Sequence, residues 1–275
     1  MNGHGGGARE DGCKAGSRVG WLFLLCWLVV SCLMVGCRTV RHDEVFQNST
    51  IDALLAGVFD GDLTCGELLQ HGDFGIGTFD ALDGEMILVD GRLRQVKADG
   101  RVYAPSHKVK TPFATVCHFR PDATFDMSGP MDFGAVGKAV DRVVPNLNVF
   151  CAIRIEGRFR MMRTRSVPRQ QKPYPALPEV ARVQPEFPME NVEGTIVGFR
   201  CPSFVKGVNV PGYHLHFLSA DESRGGHILA LELEAGRCSV DRLDRFCLRL
   251  PGTVTDFATT DLAKDRVKEL ESVER

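Results

Sequence analysis

The chain has 275 residues, of which 44% are hydrophobic and 25% are charged. Both values are typical of a soluble globular protein and argue against disordered and fibrous classes. The formal net charge is -2, so no overall field attracts nucleic acid or an anionic membrane. The length allows two modest domains or one large one. The 29 glycines and 14 prolines favour many turns and short strands over a helical bundle.

The first 37 residues carry the pattern of an export signal. Lys14 and Arg18 precede an apolar run over 21–35, which is the order found in secretory signals. The run ends at Gly36-Cys37, which resembles the lipobox of bacterial lipoproteins, where the cysteine is lipidated. We therefore predict a lipoprotein-type signal over 1–37, with a possible membrane attachment through Cys37, followed by a tether over 38–48. An uncleaved anchor and simple secretion are the alternatives, and all three place the body outside the cytoplasm.

The body of the chain contains six of the ten cysteines. Export permits disulfides, but sequence spacing cannot give their pairing. None of the cysteines forms a CxxC pair, which argues against a zinc site made of thiolates. We expect these cysteines to be mainly buried thiols, and the sequence does not decide whether two of them form a disulfide. The six residues are Cys65, Cys117, Cys151, Cys201, Cys238 and Cys247.

The first half of the body, 49–167, contains short strands joined by tight turns. The segment 64–67 has capping-box spacing for a short helix. Three Asp-Gly pairs then separate short apolar segments, which predicts a meander of strands over 77–105. A helix is predicted over 134–144. Residues 150–155 and 159–167 flank Glu156-Gly157 and are predicted to form a hairpin.

The second half, 189–275, follows a proline-rich segment over 168–188. Six prolines in that segment prevent a long regular element, so we interpret it as a connector between the halves. Further strands are predicted over 194–199, 213–218 and 228–234, with a terminal helix over 261–273. The whole pattern favours an α/β fold of the α+β type, with two sub-domains built on mixed β-sheets and few short helices.

The strongest chemical signal is the motif Tyr213-His214-Leu215-His216-Phe217. Side chains alternate between the faces of a strand, so His214 and His216 point the same way. Residues 219–226 are rich in turn formers, and His227 opens the next predicted strand. In a hairpin, His216 and His227 would face each other with Cβ atoms roughly 5 Å apart. Three histidines with an open fourth position are typical of catalytic zinc.

Spacing alone leaves a second interpretation of these histidines open. A single histidine is more often a hydrogen-bonded core or surface residue than a metal ligand. The two-residue spacing and the third histidine after a turn favour the metal site without proving it. The other histidines show no comparable grouping.

Four arginines lie in one strand-like stretch of the sequence: Arg158, Arg160, Arg163 and Arg165. Binding to nucleic-acid phosphates is one interpretation, but the net charge and the lack of a stacking platform argue against it. A solvated basic face would account for three of the four. One arginine that reaches a pocket could hold a substrate carboxylate through two parallel hydrogen bonds.

The segment Asp83-Gly84-Glu85 combines a turn with an acidic residue. Asp-Gly is ordinary turn chemistry, which makes Asp83 structural. Glu85 opens a strand and could face either solvent or a site.

Several long motifs in the body resemble those of the bacterial alpha-acetolactate decarboxylases, from about Ile51 to the C-terminus. The matching segments contain both the histidines and Glu85. They are 77–86 (GTFDALDGEM), 111–114 (TPFA), 163–165 (RTR), 172–175 (KPYP), 198–202 (GFRCP), 209–217 (NVPGYHLHF) and 225–227 (GGH).

The resemblance implies a zinc enzyme that converts 2-acetolactate to acetoin and carbon dioxide in acetoin biosynthesis. It implies one Zn²⁺ per chain, with His214, His216 and His227 as the metal ligands. It also implies a two-part fold of mixed sheets and a homodimer. No nucleic-acid partner is expected.

The resemblance also implies roles for residues other than the histidines. Glu85 and Arg165 match catalytic residues, and Thr78 matches a threonine that lines the site. Arg165 would also bind the substrate. A glutamate near the C-terminus reaches the site in that family. We assign it to Glu274 and keep Glu271 and Glu269 open.

The implied chemistry is consistent with these side chains. The ketone and hydroxyl of acetolactate can chelate one zinc, and the electrons left by carbon dioxide would form a metal-stabilised enediolate. Thiamine diphosphate and pyridoxal phosphate are then not expected as electron sinks. Arg165 would hold the carboxylate, and Glu85 or Glu274 would deliver the proton if burial raises its pKa.

Two other functions remain as alternatives. A different zinc lyase or a zinc hydrolase could use the same histidines, although the chain has no HExxH motif. A non-catalytic metal-binding lipoprotein could also keep the fold.

Overall fold

The body of the protein is built on two large β-sheets. The computed structural model describes residues 1, 6–7, 42–252 and 255–274. The predicted cleavage and lipidation site at Cys37 lies outside the described residues, as does the apolar run of the predicted signal. No helix within the described residues combines the length and the apolar character needed to cross a bilayer.

The described residues form fourteen strands and five α-helices. The strands are β1 (Glu44–Asn48), β2 (Leu63–Thr64), β3 (Phe74–Thr78), β4 (Glu85–Val89), β5 (Arg92–Val96), β6 (Val102–Tyr103), β7 (Lys110–Thr111), β8 (Ala114–Cys117), β9 (Ala123–Asp132), β10 (Phe150–Arg165), β11 (Glu186–Cys201), β12 (Gly212–Ser219), β13 (Gly225–Leu243) and β14 (Arg245–Arg249). The helices are α1 (Ile51–Leu55), α2 (Cys65–Leu68), α3 (Phe133–Val143), α4 (Leu177–Ala181) and α5 (Val267–Glu274). Short 3-10 helices cover Asp80–Leu82, Ser203–Val205 and Asp256–Ala258.

The first sheet has seven strands in the order β14-β1-β8-β3-β4-β5-β6. Its strands pair antiparallel, except that β1 and β14 are parallel. The four strands from β3 to β6 pair in succession, which confirms the meander predicted over 77–105. The alternation of turn and strand residues in that segment therefore determined the local topology.

The second sheet closes on itself at one end. Strand β10 pairs with both β11 and β13, and β12 also pairs with both β11 and β13. The ring encloses an apolar cluster in which Phe159 and Phe217 meet edge to face, with ring centroids 5.4 Å apart. Strand β9 lies against the rest of β13. Mixed sheets with few short helices confirm the α+β class.

The hairpin predicted around Glu156-Gly157 is wrong, because β10 runs without a turn from Phe150 to Arg165. Gly157 lies inside the strand, between Gly194 on β11 and Gly236 on β13. A Cβ atom on Gly157 would come within 2.6 Å of the Ala235 carbonyl oxygen. The glycine therefore permits a close approach of neighbouring backbones rather than a reversal of the chain.

The predicted division of the chain also needs correction. Residues 44–48 of the predicted tether form β1, a buried strand between β14 and β8. The segment 168–188 connects the neighbouring strands β10 and β11 and contains α4, so it does not separate two halves. Each sheet takes strands from both sides of that segment. Long-range strand pairing overrides the change in composition on which the division was based.

The helix predictions were confirmed apart from their ends. Helix α3 covers the predicted 134–144 within one residue, and the Asp132 side chain caps it by accepting from the Ala135 N–H at 2.7 Å. The capping box over 64–67 is present at the start of α2. The terminal helix, however, begins at Val267 rather than near 261.

Five of the body cysteines are buried thiols that form no disulfide among the described residues: Cys65, Cys117, Cys151, Cys201 and Cys238. This matches the expectation that they fill the core. Burial raises the pKa of the Cys65 thiol to about 11, so it is protonated and unreactive near neutral pH.

Three short helices form an apolar roof beside the second sheet. The roof is a cluster of buried side chains from α1, α4 and α5 together with neighbouring loops. Leu54 of α1, Leu177 of α4 and Val273 of α5 also line a cavity beneath it. Helices of five to eight residues are unstable alone, so burial of these apolar faces stabilises them.

Candidate active site

Three histidine side chains converge at the floor of this cavity. His214 and His216 lie on β12, and His227 lies on β13 directly opposite His216. The ring centroids are 5.2 Å apart for His214–His216, 5.0 Å for His214–His227 and 5.4 Å for His216–His227. One ring nitrogen from each side chain lies within 4.8 Å of the others. The strand alternation and hairpin register expected from the sequence are therefore present.

The local sequence explains why the histidines share one face. Leu215 and Phe217 point to the opposite face and pack in the enclosed core of the second sheet. At the start of β13, Gly226 has a φ of 127°, and a Cβ there would lie 2.3 Å from the Arg165 carbonyl oxygen. Glycine thus lets β13 approach β10 closely at the level of the histidines.

His216 is oriented for binding through Nε2. Its Nδ1 lies 2.9 Å from the Met86 carbonyl oxygen, which can only accept, so Nδ1 carries the hydrogen. The Nε2 atom then has a free electron pair, and it is buried with no hydrogen-bond partner. A backbone carbonyl on the second nitrogen is the usual support of a metal-binding histidine. The orphaned buried nitrogen fits a metal ion at this point.

Burial keeps all three imidazoles neutral. It lowers the pKa of His214 to about 3 and holds the pKa of His216 and His227 well below the usual value. The positive charge of Arg165 acts in the same direction on each of them. Neutral imidazole is the form that binds metal, so the site needs no proton release before metal binding.

Two buried carboxylates flank the histidines. Glu85, the first residue of β4, places Oε2 3.6 Å from His216 Nε2. Glu274, in the last turn of α5, places Oε2 3.9 Å from His214 Nε2 and 3.8 Å from His227 Nε2. Desolvation raises the pKa of both carboxyls to about 7, and the nearby Arg165 charge opposes that rise. Each carboxyl can therefore hold or release a proton near neutral pH.

The structure also distinguishes the three candidate glutamates of the C-terminal helix. Leu270 and Val273 pack into the roof, which turns Glu274 toward the cavity. Glu269 instead accepts from the Lys264 ammonium at 2.6 Å, and Glu271 is exposed. Only Glu274 of these three lines the cavity.

Arg165 closes one wall of the cavity and is only 3% exposed. Its Nη1 donates to the Gln184 side-chain oxygen at 2.6 Å, and its Nη2 donates to the Val273 carbonyl at 2.8 Å. Its Nε is buried without a partner. A buried cation with donors left over is suited to hold an anionic ligand.

The other arginines of the same strand have different surroundings. Arg158, Arg160 and Arg163 are exposed, and each pairs with a glutamate of a neighbouring strand. Their partners are Glu234, Glu232 and Glu186. This is the solvated basic face anticipated for three of the four arginines.

Thr78 lies at the cavity edge, opposite Glu85 on the neighbouring strand. Its hydroxyl donates to the Gly84 carbonyl at 2.7 Å. That hydrogen bond fixes the turn from which Glu85 enters β4. Thr78 therefore lines the cavity and also helps to position Glu85.

Two groups of site residues had no signal in the sequence. Gln184 lies 19 positions from Arg165, in a segment without regular structure, and only the folded chain shows their contact. The apolar lining comes from scattered positions whose hydrophobicity resembles that of any core residue. These lining residues are Ile51, Leu54, Leu82, Phe113, Val167, Leu177 and Val273.

Comparisons with known proteins show which family this chain is similar to. A model of the alpha-acetolactate decarboxylase family matches residues 45–264. The chain is 47% identical over 233 residues to the alpha-acetolactate decarboxylase of Methanosarcina mazei, covering 85% of this chain and 81% of that protein. It is 48% identical over 231 residues to that of Methylococcus capsulatus, covering 84% and 88%.

A solved structure extends the comparison to the fold. The crystal structure of alpha-acetolactate decarboxylase from Bacillus subtilis strain 168 superimposes with a TM-score of 0.82 at 38% identity. The alignment covers 84% of this chain and 99% of that one. The match to the family model contains the three histidines, Glu85 and Arg165. It ends at residue 264, before helix α5, which carries Glu274. This chain belongs to the alpha-acetolactate decarboxylase family.

Proposed function

We propose that this protein decarboxylates 2-acetolactate to acetoin and carbon dioxide, using a zinc ion bound by His214, His216 and His227. Family membership supports the reaction. The observation that supports the metal is the buried, unpartnered Nε2 of His216 within a group of three neutral imidazoles. Three histidine ligands with a position left for substrate are typical of catalytic zinc sites.

In this proposal the metal ion would act only through its positive charge. When bound, the ion supplies Lewis-acid stabilisation for the negative charge that develops on substrate oxygens as carbon dioxide leaves. The Met86 carbonyl fixes the His216 ring, and the pairing of β12 with β13 fixes the other rings relative to it. The protein therefore provides a rigid set of neutral donors before the substrate arrives.

Arg165 binds the substrate carboxylate in this proposal. Its guanidinium lies in the cavity wall, and its Nε is buried without a hydrogen-bond partner. A guanidinium matches the two oxygens of a carboxylate and orients it. As the carboxylate becomes neutral carbon dioxide, its attraction to Arg165 disappears, which favours release of the product.

Glu85 and Glu274 are the proton donors available to the enediolate that remains. They approach the histidines from different elements, β4 and α5. Because burial brings the pKa of both close to neutrality, either can be protonated when the carbanionic carbon forms. A donor on one side of a planar enediolate determines the hand of the acetoin product.

The apolar roof has two functions in this reaction. It accommodates the methyl groups of the substrate, and it excludes water that would compete with the carboxyl groups as proton donor. Leu54, Leu177 and Val273 approach from three separate helices, so the cavity depends on the docking of all three.

The proposed activity is tested by supplying racemic acetolactate to the purified, zinc-loaded protein and measuring acetoin. We expect acetoin to form, to stop after treatment with a chelator, and to return when zinc is added back. Heat-inactivated protein corrects for the spontaneous reaction. No acetoin above that background would disprove the proposed function, and full activity after verified metal removal would disprove its metal dependence.

The ligand set is tested by His216→Ala. Loss of a support residue of a metal ligand already lowers metal affinity or activity about 10–100-fold, so loss of the ligand itself should exceed this. We expect bound zinc to fall to background and acetoin formation with it. His107→Ala is the control, since His107 is exposed and outside the cavity. Zinc retained by His216→Ala would show that the ligand set is wrong.

The role of Arg165 is tested by Arg165→Met, which keeps the length of the side chain without its charge. We expect kcat/KM to fall roughly 100-fold, because a charge-assisted hydrogen-bonded pair is lost. Zinc content should not change. Arg163→Met is the matched control on the same strand, and its partner Glu186 is exposed. Normal turnover by Arg165→Met would contradict the proposed role.

The proton donor is identified by comparing Glu85→Gln with Glu274→Gln. Removing a general acid lowers rates by about 10²–10⁴, so the donor variant should lose most of kcat while keeping zinc. Its residual acetoin should also be closer to racemic, since water then protonates both faces. The chirality of acetoin is measured by chiral gas chromatography. If both variants keep wild-type rate and chirality, neither glutamate is the donor.

A further inference from the structure

Arg165 differs from every other arginine of β10 in the charge of its partners. The other four arginines of the strand form ion pairs with carboxylates. The pairs are Arg154–Asp90 and Arg154–Glu156 at 2.7 Å, Arg158–Glu234 at 2.7 Å, Arg160–Glu232 at 3.3 Å and Arg163–Glu186 at 3.0 Å. Both acceptors of Arg165 are neutral oxygens, and no ion pair to Arg165 occurs within the described ranges.

The two neutral acceptors fix the guanidinium at both of its terminal nitrogens. Gln184 accepts from Nη1 at 2.6 Å, and the Val273 carbonyl accepts from Nη2 at 2.8 Å. A planar guanidinium held at both terminal nitrogens cannot rotate freely. The segment that carries Gln184 is itself anchored, because the Ser166 N–H donates to the Pro185 carbonyl at 3.3 Å.

We infer that Gln184 is a positioning residue whose neutral amide orients Arg165 while leaving its positive charge available to the substrate carboxylate. This inference rests on the proposed function. A carboxylate at the same place would form a close ion pair in a buried, weakly polar environment, where such pairs are strong. That pair would neutralise the charge needed to bind the substrate. The amide supplies the hydrogen bond without the competing charge.

The surrounding sequence supports the importance of neutrality at this position. Glu186, two residues away, has its backbone opposite Arg165, yet its carboxylate pairs with Arg163 instead. A glutamate in place of Gln184 would have almost the same shape and would accept the same hydrogen bond more strongly. A purely structural role would therefore tolerate glutamate, whereas a role in carboxylate binding would not.

The inference is tested by Gln184→Glu, with binding measured by calorimetry on the zinc-loaded protein. The two ligands are 2,3-dihydroxy-2-methylbutanoate, which cannot decarboxylate for lack of a ketone, and butane-2,3-diol, the same molecule without its carboxylate. We expect the Kd of the carboxylate ligand to rise by roughly tenfold or more. The Kd of the diol should stay within about twofold. The KM for acetolactate should rise together with the Kd of the carboxylate ligand.

A second variant separates orientation from charge. Gln184→Leu removes the acceptor without adding charge, so we expect a smaller loss of carboxylate affinity, again with unchanged diol binding. This variant also tests the inference if Gln184→Glu does not fold. Gln170→Glu is the matched control: it adds a charge to the same segment, where the Gln170 amide contacts the Pro168 carbonyl rather than Arg165.

Two results would overturn the inference. One is wild-type affinity of Gln184→Glu for the carboxylate ligand, or of Gln184→Leu if the first variant does not fold. The other is equal weakening of both ligands, which would indicate general damage to the cavity. Neither binding measurement depends on turnover, so acetoin formation by the wild-type protein tests the proposed function separately.

Discussion

The pairing of His216 with His227 across β12 and β13 is the constraint on which the rest of the site depends. A shift of one residue in that register would turn the histidines toward the enclosed core and expose Leu215 and Phe217. Burial of those two apolar side chains opposes any such shift. The hydrophobic packing of one face of β12 thus determines the geometry of the histidine cluster on the other face.

In the cavity, the two carboxyl groups and the guanidinium of Arg165 interact at a distance and do not form direct ion pairs among the described contacts. Glu85 and Glu274 both feel the field of Arg165, yet neither lies within ion-pair distance of it among the described contacts. Close pairing would hold both carboxyls permanently ionised and would neutralise the arginine. Separation lets the acids take up protons while Arg165 keeps its charge. The proposed function requires this separation, because it asks one cavity both to bind an anion and to donate a proton.

Features set by nearby residues could be predicted from the sequence, and features set by distant contacts could not. The histidine pair, the meander and the caps of α2 and α3 follow from strand alternation, turn residues and local hydrogen bonds. Glu85 was found through its motif. The continuous strand β10 was missed because Glu156-Gly157 resembles a turn, whereas pairing with two neighbouring strands keeps it extended. The contact between Gln184 and Arg165 leaves no local pattern at all.

The hydrogen bond from Arg165 to the Val273 carbonyl joins ligand recognition to the docking of α5. Arg165, to which we assign the substrate carboxylate, thus also contacts the helix that brings Glu274 close to His214 and His227. Two events that share one group are thermodynamically linked, and the linkage is reciprocal. Any ligand that draws Arg165 toward itself changes the free energy of helix docking, and the docked helix changes that ligand's affinity by the same factor. In the proposed function, binding of the substrate carboxylate at Arg165 is therefore coupled to the docking of the C-terminal helix.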